Sequence, residues 1–405
     1  MARTDFIVGV EVGTSKVCAV VAEAGRDGDL HILGVGVAPS RGVRKGEIID
    51  LSIAVECVHD ALAEAEANSE VEICDVAVAV SGAHIASFNS RGAVAIPTER
   101  LEIEEEDLQE VAIKAREVNI PPENTFLHSV IQHYYVDGQE GVINPVGLVG
   151  RRLEADFHIV HGVKTRLQNT LRCLEENGMR VEDVVVNSLA SSQSVLSDHQ
   201  REMGAVVIDI GGGVSDYIVF AHGVVRQSGV LAVGGDHISN DISLGLRIPL
   251  TRAERLKLEE GSALLGQSRP GETITLKNDA GFSGKEIERE MLNMIIHARV
   301  AELFTLIHKQ ISAETPSHIL GGGVFLTGGG SLLRGIREVA ESVFEVPVHL
   351  ARDVGVSGPK SILSDPKYAT AIGVVKFMQA RRSEQEPPSL LDSIFGRFRG
   401  VFKKG

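Results

Sequence analysis

Cysteine is scarce in this 405-residue chain: Cys18, Cys57, Cys74 and Cys173 are the whole set, with no CxxC and no histidine beside them at zinc-ligand spacing. That argues against a disulfide framework or a zinc ribbon, and the expectation is that each thiol packs as a small buried hydrophobe in a reducing cytoplasm. Long apolar runs are missing too, and none approaches the roughly twenty residues a membrane-spanning helix needs. The opening MARTDFIVGVEVG passes at once into a β-rich run and includes Asp5, so no secretory signal is expected. Net positive charge is also lacking. At −15 the chain will not bind nucleic acid through bulk electrostatics. GxxxxGK[ST], GxSxG and HExxH do not occur, and GVGVAP at 34–39 does not fit the dinucleotide fingerprint.

What is present is an ordinary globular composition, 43% hydrophobic and 23% charged, long enough for two or more domains. Strand-like and helix-like patterns alternate, which argues for α/β architecture with two sheets. Two stretches about 198 residues apart match: IVGVEVGTSKVCAVV (7–21) and VVIDIGGGVSDYIVF (206–220). Each gives a β-rich run, an acid two residues before a glycine, a turn of small residues, and a second β-rich run. A duplicated hairpin implies two related halves facing one another. Between and after them, 51–69, 101–118, 165–178 and 284–311 read as helices, 71–82 as a buried strand, and 268–284 as a β excursion.

Glycine turns bring backbone N–H groups close to an anion because no Cβ intervenes. Gly13, Thr14, Ser15 and Lys16 in the first turn, with Gly211, Gly212 and Gly213 in the second, would hold a triphosphate from both sides. Glu11, Asp209 and Asp216 would hold magnesium through its waters, since that ion keeps much of its hydration shell. The competing reading, two tight β-hairpins without a ligand, is weakened by their match. A third cluster, GGGVFLTGGGSLLRGIREVAE (321–341), reads as strand, turn, then a helix from near Ser331, with Gly328, Gly329 and Gly330 admitting a flat ligand.

The end of the chain reverses the charge. On a helical wheel Leu390, Leu391, Ile394, Phe395, Phe398, Val401 and Phe402 share an arc of about 140°, with Arg397, Arg399, Lys403 and Lys404 opposite. Such a helix, about 24 Å long, is too short to span a bilayer. It either packs on the protein's own core or lies in an anionic membrane surface. The polar, proline-broken RRSEQEPPS (381–389) before it reads as a linker and favours the membrane.

Three glycine turns in this order resemble the phosphate and adenosine segments of the actin-like ATPase superfamily. SGAHIASFNSRGAVAIP (81–97), the stretch 133–160, AVGGDHISNDISLGL (232–246), DPKYATAIGVVKF (365–377) and the amphipathic tail are similar to the bacterial FtsA cell-division family. The resemblance implies two actin-like lobes built from duplicated ribonuclease-H-like domains. Lobe one would comprise 1–83, 166–195 and 360–380, and lobe two 196–235 and 313–359. An FtsA-type extra subdomain would occupy 84–165, a small subdomain of lobe two 236–312, a linker 381–388 and the membrane helix 389–405. It implies ATP and Mg2+ as ligands, Glu254 and Lys257 as ribose and adenine contacts, and Arg299 in the docking surface for the FtsZ C-terminal peptide. It further implies self-assembly into protofilaments, other division proteins as partners, and a place on the cytoplasmic membrane face at the septum. Glu254 and Lys257 equally fit an exposed i, i+3 charge pair, and Arg299 a solvated helix charge. Two departures stand out: Glu11 where the pattern has Asp, and Val214 at the first position of the pattern's Thr-Thr pair before Asp216. They leave ATP binding intact and weaken the case for efficient hydrolysis, for which no catalytic base is assigned. A pilus-assembly adaptor of the PilM type and a small-molecule kinase remain as alternatives.

Overall fold

The computed structural model describes residues 5–25, 29–278, 284–352 and 355–383. Two five-stranded sheets share one strand order. In the first, Arg180–Val186, Asp75–Val80 and Asp5–Val12 run parallel, and Lys16–Ala24 and Leu30–Pro39 continue as an antiparallel meander. In the second, Val224–Leu231, Ser215–Ala221 and Ala205–Ile210 form the meander, and Gly323–Thr327 and Val348–Leu350 add in parallel. The hairpin duplication seen in the sequence is therefore a duplication of whole sheets. All six residues of Ala205–Ile210 are buried, as expected of a central strand covered on both faces. Asp209 is the one charge in it.

Helix Leu51–Ser69 covers the first sheet, capped by the Asp50 carboxylate accepting from the Ile53 amide at 3.2 Å. The long helix Arg289–Ser312 packs beneath the second lobe through Leu292, Ile296, Val300, Leu303, Phe304 and Ile307. It starts five residues later than the pattern suggests. Lys285–Glu288 pairs instead with Thr273–Leu276 as a two-stranded sheet, because β pairing satisfies backbone groups that a helix start would leave open. Likewise the helix expected over 101–118 spans Glu105–Arg116, and the reading from Ser331 gives a 3-10 turn, Gly329–Leu332. The α-helix there begins only at Ile336, after Gly335 at φ +75° breaks the path. The last helix, Ala369–Ser383, runs through the first residues read as linker. Of the tail, residues 389–405 lie outside the described residues. Three of the four cysteines are buried as expected, and Cys74 is exposed.

Residues 82–163 leave lobe one as a four-stranded antiparallel sheet, Ala86–Ala95, Arg152–Val163, Asn124–Val136 and Gln139–Val142, covered by helix Glu105–Arg116. This insert docks on the open edge of lobe two, strand Val224–Leu231. Side chains replace a ladder there: Ser87 Oγ donates to the Ser228 carbonyl (2.6 Å), Asn89 Nδ2 to that of Arg226 (3.0 Å), and Gln132 Nε2 to that of Val225 (2.5 Å). Covering an edge in this way removes a template for unwanted strand pairing. His158 completes the seam between Asn89 Oδ1 (2.8 Å) and Ser228 Oγ (2.7 Å).

Burial pushes the His158 imidazole down to about 4. Its folded pKa lies below the ordinary value, so the stability it lends is complete above about pH 6.5 and is lost as pH falls toward 4. His158→Phe should therefore cost stability at pH 7, and the gap to wild type should narrow by on the order of 2 kcal/mol at pH 5. Urea unfolding at the two pH values reads it; a gap that widens on acidification contradicts the seam.

Candidate functional site

The carboxyl ends of the central strands of both sheets open on one cavity of about 450 Å³ between the lobes. Chain direction places it: strand ends expose amides and side chains that the ladders no longer engage. The cavity is lined from lobe one by Glu11, Gly13, Thr14, Ser15, Lys16, Ser81 and Asn187. From lobe two come Asp209, Gly211, Asp216, Gly328 and Gly329.

The two hairpin turns are built alike. Gly13 N–H donates to the Lys16 carbonyl at 2.9 Å, and Gly211 N–H to the Val214 carbonyl at 2.9 Å. Each turn closes on itself, leaving the amides of Thr14, Ser15, Gly212 and Gly213 outside that bond. The turns also meet. A Cβ on Gly212 would lie 3.1 Å from Ser15 Cβ, and one on Gly213 2.6 Å from Thr14 Oγ1 and 2.9 Å from the Lys45 backbone. These glycines are thus required for approach between lobes. The second turn is fixed from behind by the start of helix Gly235–Leu246, where Gly235 N–H donates to the Gly211 carbonyl (2.9 Å) and Asp236 N–H to that of Gly212 (2.8 Å).

Three carboxyl groups, of Glu11, Asp209 and Asp216, share the cavity with two ammonium groups, of Lys16 and Lys367. Asp209 and Asp216 are cross-strand partners, so the pleat puts both carboxylates on one face. Burial, then the charge of Glu11, pushes Asp209 up to about 6. Asp216 is raised well above the carboxylate range by burial and then by Asp209. Lys16 does not stand free for phosphate as the sequence suggested; its ammonium is ion-paired with Glu11, the diagonal neighbour in the hairpin register. Burial pulls the Lys16 pKa down, but Glu11 and the other nearby charges outweigh it and hold it above the ordinary value. Three carboxyl groups gathered at one floor are the hard oxygen donors that suit a divalent cation, whose charge would favour their ionised form. Among the described residues no three His, Cys, Asp or Glu side chains stand close enough to grip a metal directly, so the fit is through water.

Gly328, at φ +77°, and Gly329 reach the cavity, whereas Gly330, half-buried, is outside the lining and faces Ile210, where a Cβ would lie 2.9 Å from Ile210 Cβ. Glu254 and Lys257 stand behind the second turn rather than in the lining. They pair at 2.8 Å, and Lys257, 8% exposed, also donates to the Gly235 carbonyl at 3.0 Å. That burial exceeds what an ordinary surface pair shows. Arg299 lies away from the cavity, half-buried, with Asp241 (2.5 and 3.1 Å) and Glu302 (2.5 Å) as partners. Sequence reasoning missed Ser81, Asn187 and Thr370 as lining residues. Ser81 and Asn187 each follow the end of a parallel strand, which is the signal that points to them.

Twin lobes of one strand order, facing each other across matched glycine turns, define an actin-like protein. Solved structures agree on the fold: the PilM-PilN type IV pilus biogenesis complex superposes with a TM-score of 0.64 at 16% identity, covering 91% of this chain and 97% of the other. MreB5 of Spiroplasma citri bound to ADP gives 0.56 at 16% identity, covering 95% and 99%. A family model described as cell division protein FtsA matches residues 206–373, and one described as the SHS2 domain inserted in FtsA matches 82–161. FtsA of Pseudomonas aeruginosa is 35% identical, covering 96% of this chain and 93% of its own length, and that of Escherichia coli K12 is 34% identical, covering 92% and 90%. The chain belongs to the FtsA family of cell division proteins. The pilus-adaptor alternative is left with likeness of fold alone. Among the described residues no helix is long and apolar enough to cross a membrane.

Proposed function

We propose that this protein binds a magnesium–adenine nucleotide between its lobes, assembles head to tail into filaments, and tethers FtsZ to the cytoplasmic face of the membrane at the division site. The observation that carries the nucleotide is the meeting of two identically closed glycine turns over one cavity that also holds the Asp209–Asp216 pair. When bound, the cation supplies charge neutralisation for the phosphates. Asp209, Asp216 and Glu11 would hold its water shell; Thr14, Ser15, Gly212 and Gly213 would offer amides to phosphate; Gly328 and Gly329 would admit the base. The MreB5 structures, solved with ADP and with AMPPNP, support the choice of ligand, and the MamK double helical filament supports assembly. Hydrolysis, where it occurs, is slow, because Glu11 stands where the family pattern has Asp and Val214 removes a hydroxyl near Asp216.

The tail supports the tether. Its seven apolar residues, only partly immersed, and four cations, each adding about 1 kcal/mol near anionic lipid, give one chain modest reversible binding. A filament presenting many tails multiplies that affinity through effective concentration. Recognition of an acidic peptide by Arg299 requires exchange of the peptide carboxylate for Asp241, a like-for-like replacement. Liposome co-sedimentation with anionic vesicles and Mg-ATP tests the nucleotide and membrane parts of this reading. Phe395→Asp should lose most of the bound fraction, and omission of Mg-ATP should weaken wild-type binding; equal sedimentation in all three samples contradicts it.

A further inference from the structure

The two carboxylates at the floor of the cavity take their hydrogen bonds from the opposite lobe. Thr370 Oγ1 donates to Asp209 Oδ2 at 2.5 Å, and Ser81 Oγ donates to Asp216 Oδ1 at 2.6 Å. Both donors belong to lobe one: Ser81 follows strand Asp75–Val80, and Thr370 sits in the first turn of helix Ala369–Ser383. Both acceptors belong to the central hairpin of lobe two. All four are under 9% exposed. A threonine in a helix ordinarily returns its hydroxyl to the preceding turn. Thr370 sends it across the cleft instead. Beside it the Gly328 amide, at 3.2 Å, reaches back to the Pro366 carbonyl, so the floor is stitched in both directions.

From this we infer that Ser81 and Thr370 are positioning residues that latch the lobes and aim Asp209 and Asp216, and that the cation–nucleotide complex seats on a floor they have already set. The inference rests on the nucleotide reading given above. Two carboxyl groups side by side disfavour each other's ionised form, and each, being buried, needs a hydrogen-bond partner. The latch supplies one donor apiece, each from across the cleft. Loss of either hydroxyl lets its carboxylate swing and frees one stitch; loss of both lets the lobes part.

The test uses the full chain as Ser81→Ala, Thr370→Val, the double variant, and Thr370→Ser, which keeps the hydroxyl. Hydrogen exchange of nucleotide-free protein and binding of fluorescent ADP in Mg2+ or in EDTA are the readouts. The double variant should exchange faster across Ala205–Ala221, and the gain in ADP affinity on adding Mg2+ should shrink about tenfold. Thr370→Ser should behave as wild type in both readouts. Unchanged exchange in the double variant overturns the latch, as does acceleration equal in regions remote from the cleft. Wild type that binds no ADP overturns the nucleotide reading, while the exchange of the nucleotide-free chains still decides the latch.

Discussion

Asp209→Asn is expected to make the nucleotide-free protein more stable and a poorer binder. The carboxyl of Asp209, raised to about 6 by burial and by Glu11, is ionised at neutral pH at a cost to the fold. Its folded pKa exceeds the unfolded one, so the stability it lends is present below about pH 4 and lost as pH rises through about 6. The amide carries no such charge, and its carbonyl still accepts from Thr370. The gain above pH 6 should be on the order of 1–3 kcal/mol, vanishing toward pH 4. Magnesium-dependent ADP affinity should fall at least about tenfold, about 1.4 kcal/mol, because one of the charges facing the water shell is gone. Thermal unfolding without nucleotide and titration of ADP with and without Mg2+ read the two effects. A variant less stable than wild type at pH 7.5, or one with the full magnesium response, contradicts the placement of Asp209.

Gly373→Ala should destabilise the protein although alanine is the better helix former. Helix Ala369–Ser383 crosses helix Asn187–Val195 at this residue, and a Cβ there would run into the Ala190 carbonyl and lie 3.2 Å from its Cα. Helix propensity alone gives alanine an advantage of about 1 kcal/mol. Overpacking costs about 1–3 kcal/mol and wins, and Gly373→Leu should be worse. Thr370 lies one turn away on the same helix, so a shift there should also weaken ADP binding. Denaturant unfolding decides between the two terms: a stabilised Gly373→Ala would mean that the helices are not in contact at this point.

Local pattern carried far in this chain. Helix Leu51–Ser69 is bounded as read, because its apolar stripe is continuous and Asp50 caps it. The twin hairpins were legible because both the acid and the glycine recur at one offset, and a turn closed by a single amide–carbonyl bond needs little else. Helix starts after glycine were not legible in the same way. At 329–332 the periodicity continues through a 3-10 turn, and only the φ of Gly335 sets the α-helix at Ile336. At Lys285–Glu288 the competing partner lies across the chain in Thr273–Leu276.

The site shows the same division. Residue types and spacing indicated glycine turns, acids and a lysine in one cleft. They did not indicate that Lys16 spends its charge on Glu11, that Gly330 faces Ile210, that Arg299 arrives already paired with Asp241, or that Ser81 and Thr370 hold the acids of the other lobe.

By itself the sequence determined the duplicated α/β halves, the order of the glycine turns and the amphipathic end, because each is written in residues close together and needs only backbone geometry to be read. Tertiary structure alone decided which polar groups find each other across the cleft. Those pairings join residues 135 and 161 positions apart, as Ser81 to Asp216 and Asp209 to Thr370, and no local rule fixes a hydrogen bond whose two ends meet only after both lobes have folded.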